Sequence, residues 1–176
     1  MVEKKTYLVI YYVRFVWSFF WGAIYNFICL LKFCLFKDVR IAYKVRKSLW
    51  EKIKSFDDLL AFIKNYYQYN PEIIFDHDTT EFEFFIRWGD CDDVALMVLK
   101  KLKQLGYKAS RIILKGNNLF DWHFDTLFYD EISGKYYLFN YGALISGDSI
   151  YSVLNKFCKV FFDLTGYYIV NKEVFE

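Results

Sequence analysis

Between Arg14 and Lys32 the chain carries seventeen residues without a charge, inside a longer apolar stretch from residue 7 to residue 36. Such a run must be surrounded by something other than water, which limits what the rest of the chain can build around it. Its length sits at the lower edge of the roughly 17–25 residues that cross a bilayer core. Trp17, Trp21 and Tyr25 carry amphipathic rings of the kind that settle at a membrane interface, and Arg14 and Lys32 have stems long enough to reach water from its edge. Residues 15–31 therefore suit membrane association. They equally suit a helix packed on all sides, or one half of an interface between copies. No small-residue cleavage pattern follows, so a removed leader is the weaker reading. If the run spans, the heavier positive flank lies C-terminal to it, in Lys37, Arg40, Lys44, Arg46, Lys47, Lys52 and Lys54, and places the main domain in the cytoplasm. The same basic flank suits anionic lipid, or simply a solvated helix face.

A chain of 176 residues has room for one domain and an accessory element. With 56% hydrophobic and 23% aromatic residues it can fill a core, which excludes a disordered protein. A net charge of +2 with no arginine stripe argues against a nucleic-acid partner. Four cysteines, two of them in the apolar run, form no disulfide framework and point to a reducing compartment. Three segments follow from the pattern: a hydrophobic N-terminal helix over 1–36, a basic helical connector over 37–70, and a main domain over 71–176.

Within the connector, Ser55 followed by Asp57 and Asp58 predicts a helix start, with Leu59, Leu60, Phe62 and Ile63 as its apolar face. Pro71 ends that helix before Asn70. Residues 71–87 hold Asp76, His77, Asp78, Glu81 and Glu83, which raises the question of a hard cation, but no metal-loop spacing is present and a solvated connecting loop is expected.

The stretch Trp88-Gly89-Asp90-Cys91-Asp92-Asp93 then opens a helical run. Ala95, Val98, Leu102 and Leu105 recur at helical spacing, and Gly106 closes the helix. Cys91 thus falls at or just before the first turn, where unpaired N–H groups and the positive dipole end favour thiolate and can hold an oxyanion. Asp90, Asp92 and Asp93 suit a helix start but repel a thiolate, so a nearby imidazolium is needed. The chain offers two, His77 and His123.

Residues 111–115 read as a strand. Residues 122–129 and 135–141 flank Glu131-Ile132-Ser133-Gly134 as a β-hairpin, with His123, Asp125, Leu127 and Tyr129 on one face. If Asp130 pairs with Lys135, Asn140 stands opposite Asp125 and diagonal to His123; a shift of one residue moves it to the other face. In that register Cys91 can attack, His123 can carry protons, and Asn140 can orient the ring. A cysteine packed in a core and a histidine satisfied within a strand explain the same residues without chemistry. Cys29, Cys34 and Cys158 lie in apolar surroundings that suit packing. Beyond the hairpin, Asp148 is expected to cap a helix through Lys159, and residues 161–170 to close the sheet.

Gly89-Asp90-Cys91-Asp92-Asp93, with a helix ending in Leu105-Gly106-Tyr107-Lys108-Ala109, resembles the core of the transglutaminase-like superfamily of papain-fold cysteine enzymes. In that family a strand histidine follows the cysteine helix, and an Asp or Asn lies on the next strand; here the steps are 32 residues from Cys91 to His123 and 17 from His123 to Asn140, similar to compact bacterial and phage-type members. The resemblance covers residues 76–145. It implies an α+β fold with a nucleophile helix packed on an antiparallel sheet. It also implies a cysteine peptidase, amidase or transamidase with Cys91, His123 and Asn140 as its triad, a peptide or protein amide as substrate, and no metal or organic cofactor. Trp88 is a second oxyanion donor by position only, and Asp92 a positioning residue. The family also contains members that have lost activity, so a silent module that binds a peptide or protein partner is the alternative.

Overall fold

A computed structural model of the chain describes residues 21–70, 79–117, 122–160 and 164–175. It divides into two compact units, one ending at Asp93 and the other beginning at Val94. The architecture is α+β, with a wholly antiparallel sheet in the second unit.

In the first unit, the described part of helix α1 covers residues 21–35 and the helix breaks at Phe36, whose backbone is extended. Arg40 Nη1 reaches back to donate to the carbonyls of Phe33 at 3.1 Å and Cys34 at 2.6 Å, so the end of α1 is satisfied from within α2 (Lys37–Glu51). Helix α3 (Phe56–Tyr66) starts where the sequence predicts. Asp58 N–H donates to Ser55 Oγ at 3.1 Å and Ser55 N–H to the Asp58 carboxylate at 3.0 Å, which is a complete capping box. Leu59, Phe62 and Ile63 are its buried face. Residues 81–87 are not the solvated loop expected from their charge. They form helix α4 (Glu81–Arg87), capped by Thr80, and Glu83 is fully buried because Arg87 pairs with it at 2.8 Å. Asp76, His77 and Asp78 lie outside the described residues, as do residues 15–20 of the apolar run. Among the described residues no helix is long and apolar enough to cross a membrane. Aromatic rings meeting edge to face make this unit's core: Trp50 with Phe62 at 5.2 Å and with Phe85 at 5.8 Å, and Phe84 with Trp88 at 5.2 Å. Cys34 is exposed, unlike the packed role expected for it, while Cys29 is buried.

Helix α5 (Cys91–Gln104) runs across the division. Gly106, at φ 91°, supplies the left-handed step that ends it, and Tyr107 N–H returns to the Leu102 carbonyl at 3.0 Å. The second unit's sheet has the order β4-β3-β2-β1-β5, built from β1 (Lys108–Lys115), β2 (Trp122–Asp130), β3 (Lys135–Asn140), β4 (Ala143–Gly147) and β5 (Gly166–Ile169). The β2–β3 hairpin has the predicted loop and register, Asp130 opposite Lys135. Strand β4 was not anticipated. It follows a two-residue turn in which Tyr141 and Gly142 both have positive φ, 45° and 85°, the geometry that reverses a strand pair most tightly. Helix α6 (Ile150–Val160) begins at Ser149 rather than Asp148, since the Ser149 hydroxyl accepts from Ser152 N–H at 3.1 Å. It carries the chain from the β4 edge to the β5 edge and covers one face of the sheet.

Strand alternation divides the buried residues cleanly. Ile112, Leu114, Leu127, Leu138 and Ile169 meet Val153, Leu154 and Phe157 of α6 in one core. The other face carries Ala109, Ile113, Phe124, Thr126, Phe128 and Phe139, all buried, and Thr126 donates through Oγ1 to the Ala95 carbonyl of α5 at 2.7 Å. Leu127 sits at the middle of the α6 core. Leu127→Ala is expected to cost about 2–5 kcal/mol in urea unfolding, as a lower midpoint at unchanged slope.

Candidate functional site

The loop before Cys91 is held more tightly than its length of three residues suggests. Trp88 ends α4 at φ 64°, ψ −162°, a region that a residue with a side chain enters only at a cost of about 1–3 kcal/mol. What fixes it there is its ring, 3% exposed and enclosed by Phe62, Tyr67 and Phe84. The Arg46 guanidinium lies 4.5 Å from the ring centre while its Nη1 donates to the Phe85 and Ile86 carbonyls at 2.9 and 3.1 Å. The Gly89 carbonyl and the Arg87 carbonyl just before the loop are taken as well. Tyr67 O–H donates to Gly89 O at 2.6 Å, Asn70 N–H to the same oxygen at 3.0 Å, and Asn70 Nδ2 to Arg87 O at 2.9 Å. Burial and the nearby Asp90 push the Tyr67 phenol well above its ordinary range, so it remains a donor.

The three acids around Cys91 are not equivalent. Asp93 is fully buried. Its carboxylate accepts from Thr79 N–H at 2.9 Å, meets Arg87 Nη2 at 3.5 Å, and lies against Gly89 so closely that a methyl there would overlap it. That overlap, rather than backbone freedom, is why the residue is glycine. Asp90 is raised far above the carboxylate range, first by burial and then by its hydrogen bond and charge contact with Asp92, so it holds a proton at neutral pH. Asp92 is buried at the other end of that bond. The repulsion expected against a thiolate is thus reduced, because one acid is neutral and another is paired with arginine. Cys91 itself is half-buried as the first residue of α5. Ligand atoms of Asp90, Cys91 and Asp92 lie within 4.8 Å of one another. Trp88 Nε1 is buried without a hydrogen-bond partner among the described residues.

The second unit brings His123, Asp125 and Asn140 together on the α6 face. His123 Nε2 stands 3.1 Å from Asp125 Oδ1, and the ring stacks on Phe157 at 6.2 Å and tilts against Tyr141 at 5.5 Å. Asn140 is buried and, by the hairpin register, opposite Asp125. Its Oδ1 has no hydrogen-bond partner among the described residues. The carboxylate beside the ring therefore belongs to Asp125, two residues along the same strand. Sequence alternation placed Asp125 on this face without giving it the orienting role. Burial pushes the Asp125 carboxyl up, and the contact with His123 pulls it back down. Arg46 and Tyr67 join the site over distances in the chain that no local pattern reports, whereas Glu83 and Arg87 pair four residues apart on one helix.

Comparison with protein-family models, with curated proteins and with solved structures finds no match for this chain.

A buried carboxyl that keeps its proton when folded, but loses it near pH 4 when unfolded, binds more protons in the native state between those limits. Stability from Asp90 therefore falls as pH rises from about 4. Asp90→Asn keeps an N–H donor toward Asp92 and removes the titration. It is expected to raise unfolding free energy at pH 7 above that of the wild type, by an amount that grows as pH rises from about 4. Denaturant melts of both proteins at pH 4 and pH 7 should converge at the lower value.

Proposed function

We propose that the chain is a cysteine-dependent amide hydrolase or acyl transferase with a papain-like, transglutaminase-like core. The observation that carries this reading is Cys91 itself: half-buried, first in α5, behind a strained loop whose Gly89 carbonyl accepts two hydrogen bonds and beside acids that are neutral or paired. In the proposed reaction the Cys91 sulfur attacks the amide carbonyl carbon. His123 takes the thiol proton and gives it to the departing amine, leaving a thioester on the enzyme. Water, or a second amine, then attacks the thioester carbon; His123 accepts the incoming proton and returns it to sulfur. Asp125 steadies the imidazole in this scheme, and Asn140 completes the polar floor beside it. Supporting the pairing of roles is the resemblance of Gly89-Asp90-Cys91-Asp92-Asp93 and of the His123 and Asn140 spacing to that superfamily.

A second reading, a catalytically silent module that binds a peptide or protein, is favoured by one observation. His123 is stacked on Phe157 on the α6 face, whereas α5 is contacted through Thr126 from the opposite face of the same sheet. In that case His123 and Asp125 are a buried structural pair.

Site-resolved iodoacetamide labelling of Cys91 across pH separates the two. An activated cysteine is expected to label readily at about pH 6–7, where an ordinary thiol with a pKa of roughly 8.5 is slow. His123→Ala should abolish that acid limb, and Asp125→Asn should shift it more than Asn140→Ala. Ordinary thiol behaviour, unmoved by all three substitutions, would establish the silent module.

A further inference from the structure

Helix α1 turns a broad apolar face outward. Its inward residues are Gly22, Asn26 and Cys29, together with the partly buried rings of Trp21, Tyr25 and Phe33. Asn26 is engaged within its unit, donating to Gly22 O at 2.8 Å and accepting from the Thr80 hydroxyl at 2.6 Å. Its outward residues are Ile24, Phe27, Ile28, Leu31 and Leu35, recurring at helical spacing and 37–71% exposed. Scattered exposed apolar residues are ordinary, but a continuous stripe of them marks a surface made for a partner.

Charge identifies that partner. Residues 21–31 carry no charge, and the residues that follow are basic: Lys32, Lys37, Arg40 and Lys44, with Asp38 as the one acid between residues 21 and 47. Exposed Ile41 and Val45 continue the apolar pattern into α2 on a helix face shared with Lys37 and Lys44. An apolar stripe bordered at one end by lysines matches acyl chains beneath anionic headgroups.

We infer that the outward face of residues 21–45 docks on an anionic lipid bilayer, with Phe27, Leu31 and Leu35 in the acyl region and Lys32, Lys37 and Lys44 at the headgroups. This surface is separate from the chemistry proposed above and stands whether or not Cys91 is reactive.

Flotation of the full chain with vesicles of phosphatidylcholine, alone or mixed with phosphatidylglycerol, tests it, alongside sedimentation analysis without lipid. The wild-type chain is expected to float with the mixed vesicles. The variant Lys32→Gln, Lys37→Gln, Lys44→Gln should partition to them roughly 100-fold less, each cation near an anionic surface contributing about a factor of five. The variant Phe27→Ser, Leu31→Ser, Leu35→Ser should not float while keeping the wild-type circular dichroism, since these side chains are exposed. Wild-type chain that floats with neither vesicle, or that forms a discrete dimer abolished by the serine variant, would overturn the proposal. Equal flotation of the wild-type and glutamine chains would overturn its electrostatic half.

Discussion

The carboxylate of Asp93, lodged between Arg87, the Thr79 amide and the surface of Gly89, joins the end of α4, the loop that follows and the first turn of α5. Arg87 is shared with Glu83, so one guanidinium compensates two buried acids. Breaking such a set leaves a buried charge without its partner, at a cost of about 3–5 kcal/mol. The loop's shape is therefore inseparable from the ion network, and the placement of Cys91 depends on both. Trp88 adds a second lock of a different kind, since its strained backbone is compensated by aromatic packing and by Arg46.

The sheet's α6 face combines two environments that ordinarily repel each other. Leu127 and Leu138 sit in the apolar core, while Asp125 and Asn140 on the same strands bring polar atoms into burial. The Asp125 carboxyl and the Asn140 amide oxygen each keep capacity that no described residue fills, which is costly in a dry interior. His123 offsets part of that cost through its contact with Asp125. A fold tolerates such a cluster where the groups serve something besides packing, or where the ring itself holds two elements together.

Much of this was legible in the residues. The Ser55 capping box, the Gly106 termination, the span of α5 and the β2–β3 register all follow from patterns confined to a few neighbouring positions. Three features were misread. The charge of residues 81–87 suggested solvent, yet Arg87 lies four residues after Glu83 and turns a charged segment into a buried helix. Strand β4 is short and follows a turn that needs positive φ at Tyr141, a residue with no special preference for it. The helix cap passed from Asp148 to Ser149 because either side chain suits the role and packing of α6 selected between them.

Local sequence determined where α3 begins, where α5 ends and how the β2–β3 hairpin pairs, because caps, periodicities and turn chemistry act over a handful of residues. It also determined that a run of uncharged residues near the N-terminus needed an environment other than water. Tertiary structure decided the ionisation of the acids around Cys91, the choice of Asp125 over Asn140 as the imidazole's neighbour, and the outward turn of the apolar stripe on α1. Those outcomes depend on burial and on partners distant in the chain. Desolvation, charge pairing and packing set them only once the elements have met.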